Sequence, residues 1–249
     1  MKPSRIILSF AMLAAAAAPV RAQFSALPGV VRLGAADTAE KAIVQIRNEG
    51  ENPMQFRLYL GDYDQNEMGD YQFQENGDNP NSCAGRISFF PDNTVLAPGE
   101  RQEVQLRMEP GAVCWGLLFI ESAAGEDGQV RVAQRIGVRV LNVPAALSRD
   151  GEIIEVNAAV NDSLDVDFVF NNTGAAPVEL RGAVEIRDLN GNAVASAEVG
   201  PLGVLPAHTR RVAVRIGKKL PPGQYLAVPI LDFGADYLAG GQTMLTVVQ

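Results

Sequence analysis

Residues 128–141 read GQVRVAQRIGVRVL, and the fold turns on this stretch. Val130, Val132, Ile136, Val138 and Val140 stand on even positions, while Arg131, Arg135 and Arg139 stand on odd ones. A repeat of two sends successive side chains to opposite faces of an extended chain, so the stretch reads as a β-strand with one apolar and one basic face. The three arginines could be plain solvated charges, guards against edge-to-edge pairing, or parts of a binding site.

The same period recurs along the chain. Met54, Phe56, Leu58 and Leu60 alternate with polar neighbours, as do Val104, Leu106 and Met108, then Leu164, Val166, Phe168 and Phe170, then Val212, Val214 and Ile216. No segment after the first 22 residues sustains a helical pattern over three turns. Turn-forming clusters separate the strands: NEGENP, APGE, LNGN and LPPGQ. Asn190-Gly191 fits a tight hairpin in which both central residues take positive φ. The chain is therefore expected to be all-β.

Two halves part near Pro144. Each carries about seven strands, the number and spacing of an immunoglobulin-like sandwich. The expected organisation is a leader over 1–22, a first domain over 23–146 and a second over 147–249. The halves also rhyme. Asn48 is followed by Pro53 and Asn172 by Pro177, and Pro98-Gly99 and Pro206-Ala207 each precede a long alternating strand. Tyr225 fits a tyrosine corner, with its hydroxyl bonded to nearby backbone. Trp115 and Phe119 are assigned to the first core.

The leader has a basic start (Lys2, Arg5), an apolar run over residues 6–18, and Val20-Arg21-Ala22 as a cleavage pattern, which reads as an export signal. That run is too short to span a bilayer as a helix, and no later segment comes close. The expected product is exported and not membrane-spanning. The formal net charge is −8; removing Lys2, Arg5 and Arg21 makes it three units more negative. An acidic protein repels a phosphate backbone, so nucleic acid is not an expected partner. Two cysteines remain, Cys83 and Cys114. Export permits one disulfide between them, with two free thiols as the alternative.

Sites of chemistry are sparse. Asp62, Asp64 and Asn66 have the spacing of a calcium loop, but Glu67 stands where glycine is needed and Phe73 where the bidentate glutamate is needed. A solvated hairpin is the better reading. There is no Gly-x-Ser-x-Gly, His-Glu-x-x-His or phosphate loop, and the single histidine, His208, reads as an exposed turn residue. The sequence calls for no enzyme, cofactor or metal.

Several words of this sequence resemble the PapD-like periplasmic pilus-assembly chaperones: VRLGAADTAEKAIVQIRNEGENP, ISFFPDNTVLAPGERQEVQLRM, LLFIES and VRVLNVP in the first half, then FVFNNTGAAPVEL, GVLPAHTRRV and LDFGADYLAGG in the second. The resemblance covers most of the chain after the leader. It implies two Ig-like domains in an L and two cleft bases that bind the C-terminal carboxylate of a fimbrial or other surface subunit. One base lies 16 positions before the Asn ending the second strand, which is Arg32 before Asn48. The other lies five before a Pro, which is Arg139 before Pro144, with Arg where the family usually has Lys. The resemblance further implies donor positions at Val130, Val132 and Gln134, which would fill the gap in a subunit lacking its last strand. It implies an outer-membrane usher as a possible further partner. On this reading Arg139 is the anchor, and Arg131 and Arg135 are solvated guards. The rival reading is an exported Ig-like structural or binding module without a donor-strand client.

Overall fold

The computed structural model describes residues 23–34, 38–123, 133–160 and 163–248. The leader, Val130, Arg131 and Val132 lie outside the described residues. Within them every regular element is a strand. The first half forms β1 (Phe24–Leu27), β2 (Val30–Leu33), β3 (Glu40–Asn48), β4 (Met54–Gln65), β5 (Tyr71–Gln74), β6 (Ile87–Phe90), β7 (Asn93–Leu96), β8 (Arg101–Met108), β9 (Cys114–Ser122) and β10 (Arg135–Asn142). The second forms β11 (Gly151–Val160), β12 (Leu164–Asn172), β13 (Val178–Arg187), β14 (Ala193–Val204), β15 (Thr209–Ile216), β16 (Gly223–Asp232), β17 (Ala239–Gly240) and β18 (Thr243–Val247).

Two sandwiches result. In the first, a sheet ordered β1-β3-β8-β6 faces a sheet ordered β2-β10-β9-β4-β5, with β7 also on β4. In the second, β11-β12-β15 faces β14-β13-β16-β17, with β18 also on β16. The alternating residues point inward as their period requires. Val104, Leu106 and Met108 enter the first core, and Val166, Phe168 and Phe170 enter the second. All strand pairs are antiparallel except β2 on β10, which run parallel. The chain reaches that position by leaving the first sheet at Leu27 and crossing to the second through Pro28 and Gly29.

The sequence rhyme is a structural repeat. Asn48 and Asn172 are both fully buried. The Asn48 side-chain amide donates to the carbonyls of Asn52 (2.8 Å) and Leu96 (2.9 Å), and its oxygen accepts the Gly50 N–H (2.9 Å). Asn172 does the same with Ala176 (3.0 Å), Val204 (3.1 Å) and Gly174 (3.1 Å). Each asparagine carbonyl then accepts an N–H from a residue in the left-handed region, Gly99 at φ +76° in one half and Ala207 at φ +58° in the other. An Asn side chain suits this corner because one group supplies two donors and an acceptor to backbone that has left its ladder.

Four sequence expectations change. The β13–β14 hairpin exists, but only Gly191 of the Asn190-Gly191 pair has positive φ. The loop instead winds around Asp188, whose carboxylate accepts the N–H groups of Asn190 and Asn192 (2.9 Å each). Trp115 and Phe119 are buried, yet outside the first core. They belong to a third cluster on the outer face of β9, with Tyr63, Leu117, Leu141 and, from the second sandwich, Leu205. The Asp62 hairpin is not solvated at its base. Asp62 is buried and accepts the N–H of Gly77 (2.8 Å) and Asn79 (3.1 Å) and the Ser82 hydroxyl (2.7 Å), so its carboxylate organises a loop. His208 is half-buried, with Nε2 2.6 Å from Asp64 Oδ1 across the two sandwiches.

Cys83 and Cys114 form a disulfide with Cα atoms 5.2 Å apart. It ties the loop before β6 to the start of β9, closing a separation of 31 residues. A loop of that size stabilises the fold by roughly 3–4 kcal/mol in the chain-entropy description. Tyr225 donates its hydroxyl hydrogen to the Pro221 carbonyl at 3.0 Å, closing the corner expected there.

Candidate functional site

The parallel register of β2 and β10 brings Arg32 and Arg139 together. Arg139 stands opposite Val30, and Leu141 stands opposite Arg32. Side chains two apart share a sheet face, so both arginines project from the same face of adjacent strands, one step out of register. That face turns toward the second sandwich. Both side chains border a narrow cleft whose floor is Tyr63, Tyr71 and Leu141 and whose far wall is Val178, Gly203 and Leu205. Its volume is about 20 Å³, room for a single water. Beyond Arg32 the gap widens to about 420 Å³ between Gly34, Val143, Arg149, Glu179 and Phe233.

The two arginines differ in their partners. Arg32 Nη2 donates to Glu179 Oε2 at 3.0 Å. The other oxygen of Glu179 accepts two bonds from Arg181, at 2.6 and 3.0 Å. Arg181 beside it, and Arg32 to a smaller degree, hold the Glu179 carboxyl below its ordinary value against the opposing effect of burial. Arg139 has no acidic partner within 4 Å among the described residues. Its guanidinium lies 5.8 Å from the centre of the Tyr71 ring, and its Nη1 would stand 3.4 Å from a side chain on Gly203. Burial pushes the Tyr63 hydroxyl up, opposed by Arg139 and Arg32, so Tyr63 stays a neutral floor to the cleft. Two guanidinium groups over a floor of two tyrosine rings suit a planar anion such as a carboxylate.

The second sandwich is held in place by the β4–β5 hairpin. β4 runs past the sheet, and its last residues reach the β14–β15 corner. Gln65 donates to the Gly203 carbonyl at 3.1 Å and accepts the Leu205 N–H at 3.4 Å. The Arg211 N–H donates to the Glu67 carbonyl at 2.8 Å, and Arg210 packs its guanidinium over Gly69, where any side chain would collide with it.

Along β10, Arg135–Val138 has β9 on one side, and β2 begins only opposite Arg139. Among the described residues no strand pairs with the other edge of Arg135–Val138. Gln134 lies at the start of this edge and is bonded to β9 through Ser122. Arg135 is not a plain solvated charge. It bonds the Tyr59 hydroxyl at 3.2 Å and lies 4.6 Å from the centre of the Phe119 ring and 5.7 Å from that of Phe73.

Two structures with similar architecture share this arrangement of sandwiches. A chaperone–tip adhesin complex of CFA/I fimbriae superposes with a TM-score of 0.50 at 11% identity, covering 91% of this chain and 100% of that one. The class 5 fimbriae chaperone CfaA superposes with a TM-score of 0.50 at 10% identity, covering 90% and 100%. The fold is that of the fimbrial chaperones. No family model matches the chain, and no curated protein matches it by sequence. The fold is shared with these structures at 10–11% sequence identity.

Sequence reading missed Glu179, Arg181, Gln65 and Gly203. A glutamate two residues from an arginine also occurs at Arg47–Glu49, Arg107–Glu109 and Glu185–Arg187, each paired with that near neighbour. Glu179–Arg181 looked like a fourth such pair, and nothing local marks it as reaching another sandwich.

Proposed function

We propose that this protein is a periplasmic chaperone that caps subunits of fimbriae or other surface proteins. It lends the edge of β10 and the residues before it as a missing strand, and grips the subunit's C-terminal carboxylate with Arg32 and Arg139. The leader over 1–22 directs export, and the two working units are 23–146 and 147–249. No catalytic step or cofactor is required.

The observation that carries the reading is the meeting of three features at one sheet edge: an edge at Arg135–Val138 that no strand among the described residues covers, a following arginine, and a second arginine on the same face of the adjacent strand. A subunit lacking a strand has an open apolar groove and unpaired backbone groups. An alternating strand satisfies both together. A fixed carboxylate sets the register, and a one-residue slip would turn every donor side chain to the wrong face. Val130, Val132 and Gln134 are the donor positions. The likeness to a fold seen in a chaperone–tip adhesin complex supports a protein subunit as the partner, and an usher is a further candidate.

The test is recovery of a surface subunit with the tagged protein from the periplasm of its own host, followed by Arg32→Ala and Arg139→Ala. Each guanidinium is outside the cores, so both variants should keep the wild-type melting temperature. Each should weaken subunit binding by about thirtyfold or more, the loss of about 2 kcal/mol or more that accompanies removal of one partner of a charge-assisted contact. Undiminished recovery in both variants rejects the anchor. Failure to recover any subunit leaves an exported structural module.

A further inference from the structure

In the free protein Glu179 already does to Arg32 what a client's terminal carboxylate would do, and we infer that Glu179 is a built-in stand-in for that carboxylate. A client must displace it, which lowers the affinity of the resting protein for a terminal carboxylate. This rests on the anchor reading above.

The geometry has three parts. First, Glu179 spends one oxygen on Arg32 and the other on Arg181. The Arg181 contacts are local to β13, whereas the Arg32 contact crosses from one sandwich to the other. If a client takes Arg32, Glu179 keeps both bonds to Arg181, and no carboxylate is left bare. Second, the Arg32 and Glu179 side chains are 47% and 31% exposed. An ion pair open to solvent to that degree is weak and exchanges readily. Third, the cleft is narrow between Arg32 and Arg139 and opens on the Glu179 side of Arg32. Entry from that side leads past Glu179 to Arg32.

Such an occupant opposes only a ligand that must take Arg32 from it, so it weakens carboxylate binding and leaves neutral chain ends unaffected. A carboxylate replaces the lost contact with an equivalent one. A neutral chain end does not, and leaves Arg32 with Glu179. The same exchange removes one strut between the sandwiches, while Gln65–Gly203 and His208–Asp64 remain.

The experiment uses the full chain and a short fluorescein-labelled peptide of alternating valine and serine, made with a free C-terminal carboxylate and as the amide. Wild type, Glu179→Gln, Arg32→Ala and the double variant are compared by fluorescence anisotropy. Glu179→Gln should bind the carboxylate peptide about two- to fivefold more tightly than wild type, the range expected for removing a weak competing pair, and should leave amide binding unchanged. The gain should vanish in the Arg32→Ala background, because competition needs Arg32. A general field effect of removing a negative charge would persist there. Unchanged affinity in Glu179→Gln, or a full gain retained without Arg32, overturns the inference while leaving the anchor intact. If wild type and Glu179→Gln both bind carboxylate and amide peptides equally, the anchor reading fails and takes this inference with it.

Discussion

Asn48 and Asn172, one in each sandwich, make the same three side-chain hydrogen bonds to the same relative backbone positions. Each sits at the end of a strand where the chain turns, and each pins that turn to the strand leaving the opposite sheet.

Asn172→Ala should therefore destabilise the protein by about 3 kcal/mol or more. It removes three bonds, taking a donor from the Ala176 and Val204 carbonyls and leaving the buried Gly174 N–H with the Asp150 carbonyl alone. Asn171→Ala, one residue earlier, should cost about 1 kcal/mol or less, since no such network depends on it. Urea titrations of the two variants check the contrast, and equal midpoints would remove the asparagine from its corner role.

Ala207 occupies, at φ +58°, the position that Gly99 fills in the other half. A Cβ in the left-handed region costs roughly 1–2 kcal/mol, and glycine returns part of that through the freedom it gives the unfolded chain. Ala207 is exposed. Ala207→Gly should stabilise the fold by about 0.5–1 kcal/mol, seen as a higher urea midpoint at unchanged slope. A lower midpoint would mean that the turn is unstrained.

Glu179 and Glu155 are both held below their ordinary value of 4.5, Glu179 chiefly by Arg181 and Glu155 chiefly by Arg211 and then Asn157. A carboxyl with a lowered folded value contributes stability that is complete above its ordinary value and disappears as pH falls through the lower one. Stability should thus be flat from about pH 7 to 5 on account of these groups and decline below about pH 4.5. The double variant Glu155→Gln, Glu179→Gln should decline less steeply. Parallel acid profiles for variant and wild type would show that other groups set the acid limit.

Much of the fold was legible because a strand with one wet face writes its period into the sequence. β8 and β12 are of this kind. β9 is not: Cys114–Ile120 is buried on both faces, so Trp115 and Phe119 gave no sign that they face the second sandwich and not the first core. The corner asparagines and the Tyr225 corner could be read because their partners are a few residues away. Gln65, His208 and Glu179 could not, since periodicity assigns a face and not what lies across from it. The convergence of Arg32 and Arg139 depends on a parallel pairing that neither strand announces. The two residues were singled out by family resemblance alone.

Leu205 has a consequence for attempts to dissect the molecule. It is the second sandwich's only member of the buried cluster on β9's outer face, among the described residues, and it covers Trp115, Leu117 and Leu141. A fragment ending after β10 would bare that aromatic surface to water and invite clumping. Proteolytic nicking between the halves should therefore leave them associated, and either half produced separately should be sparingly soluble.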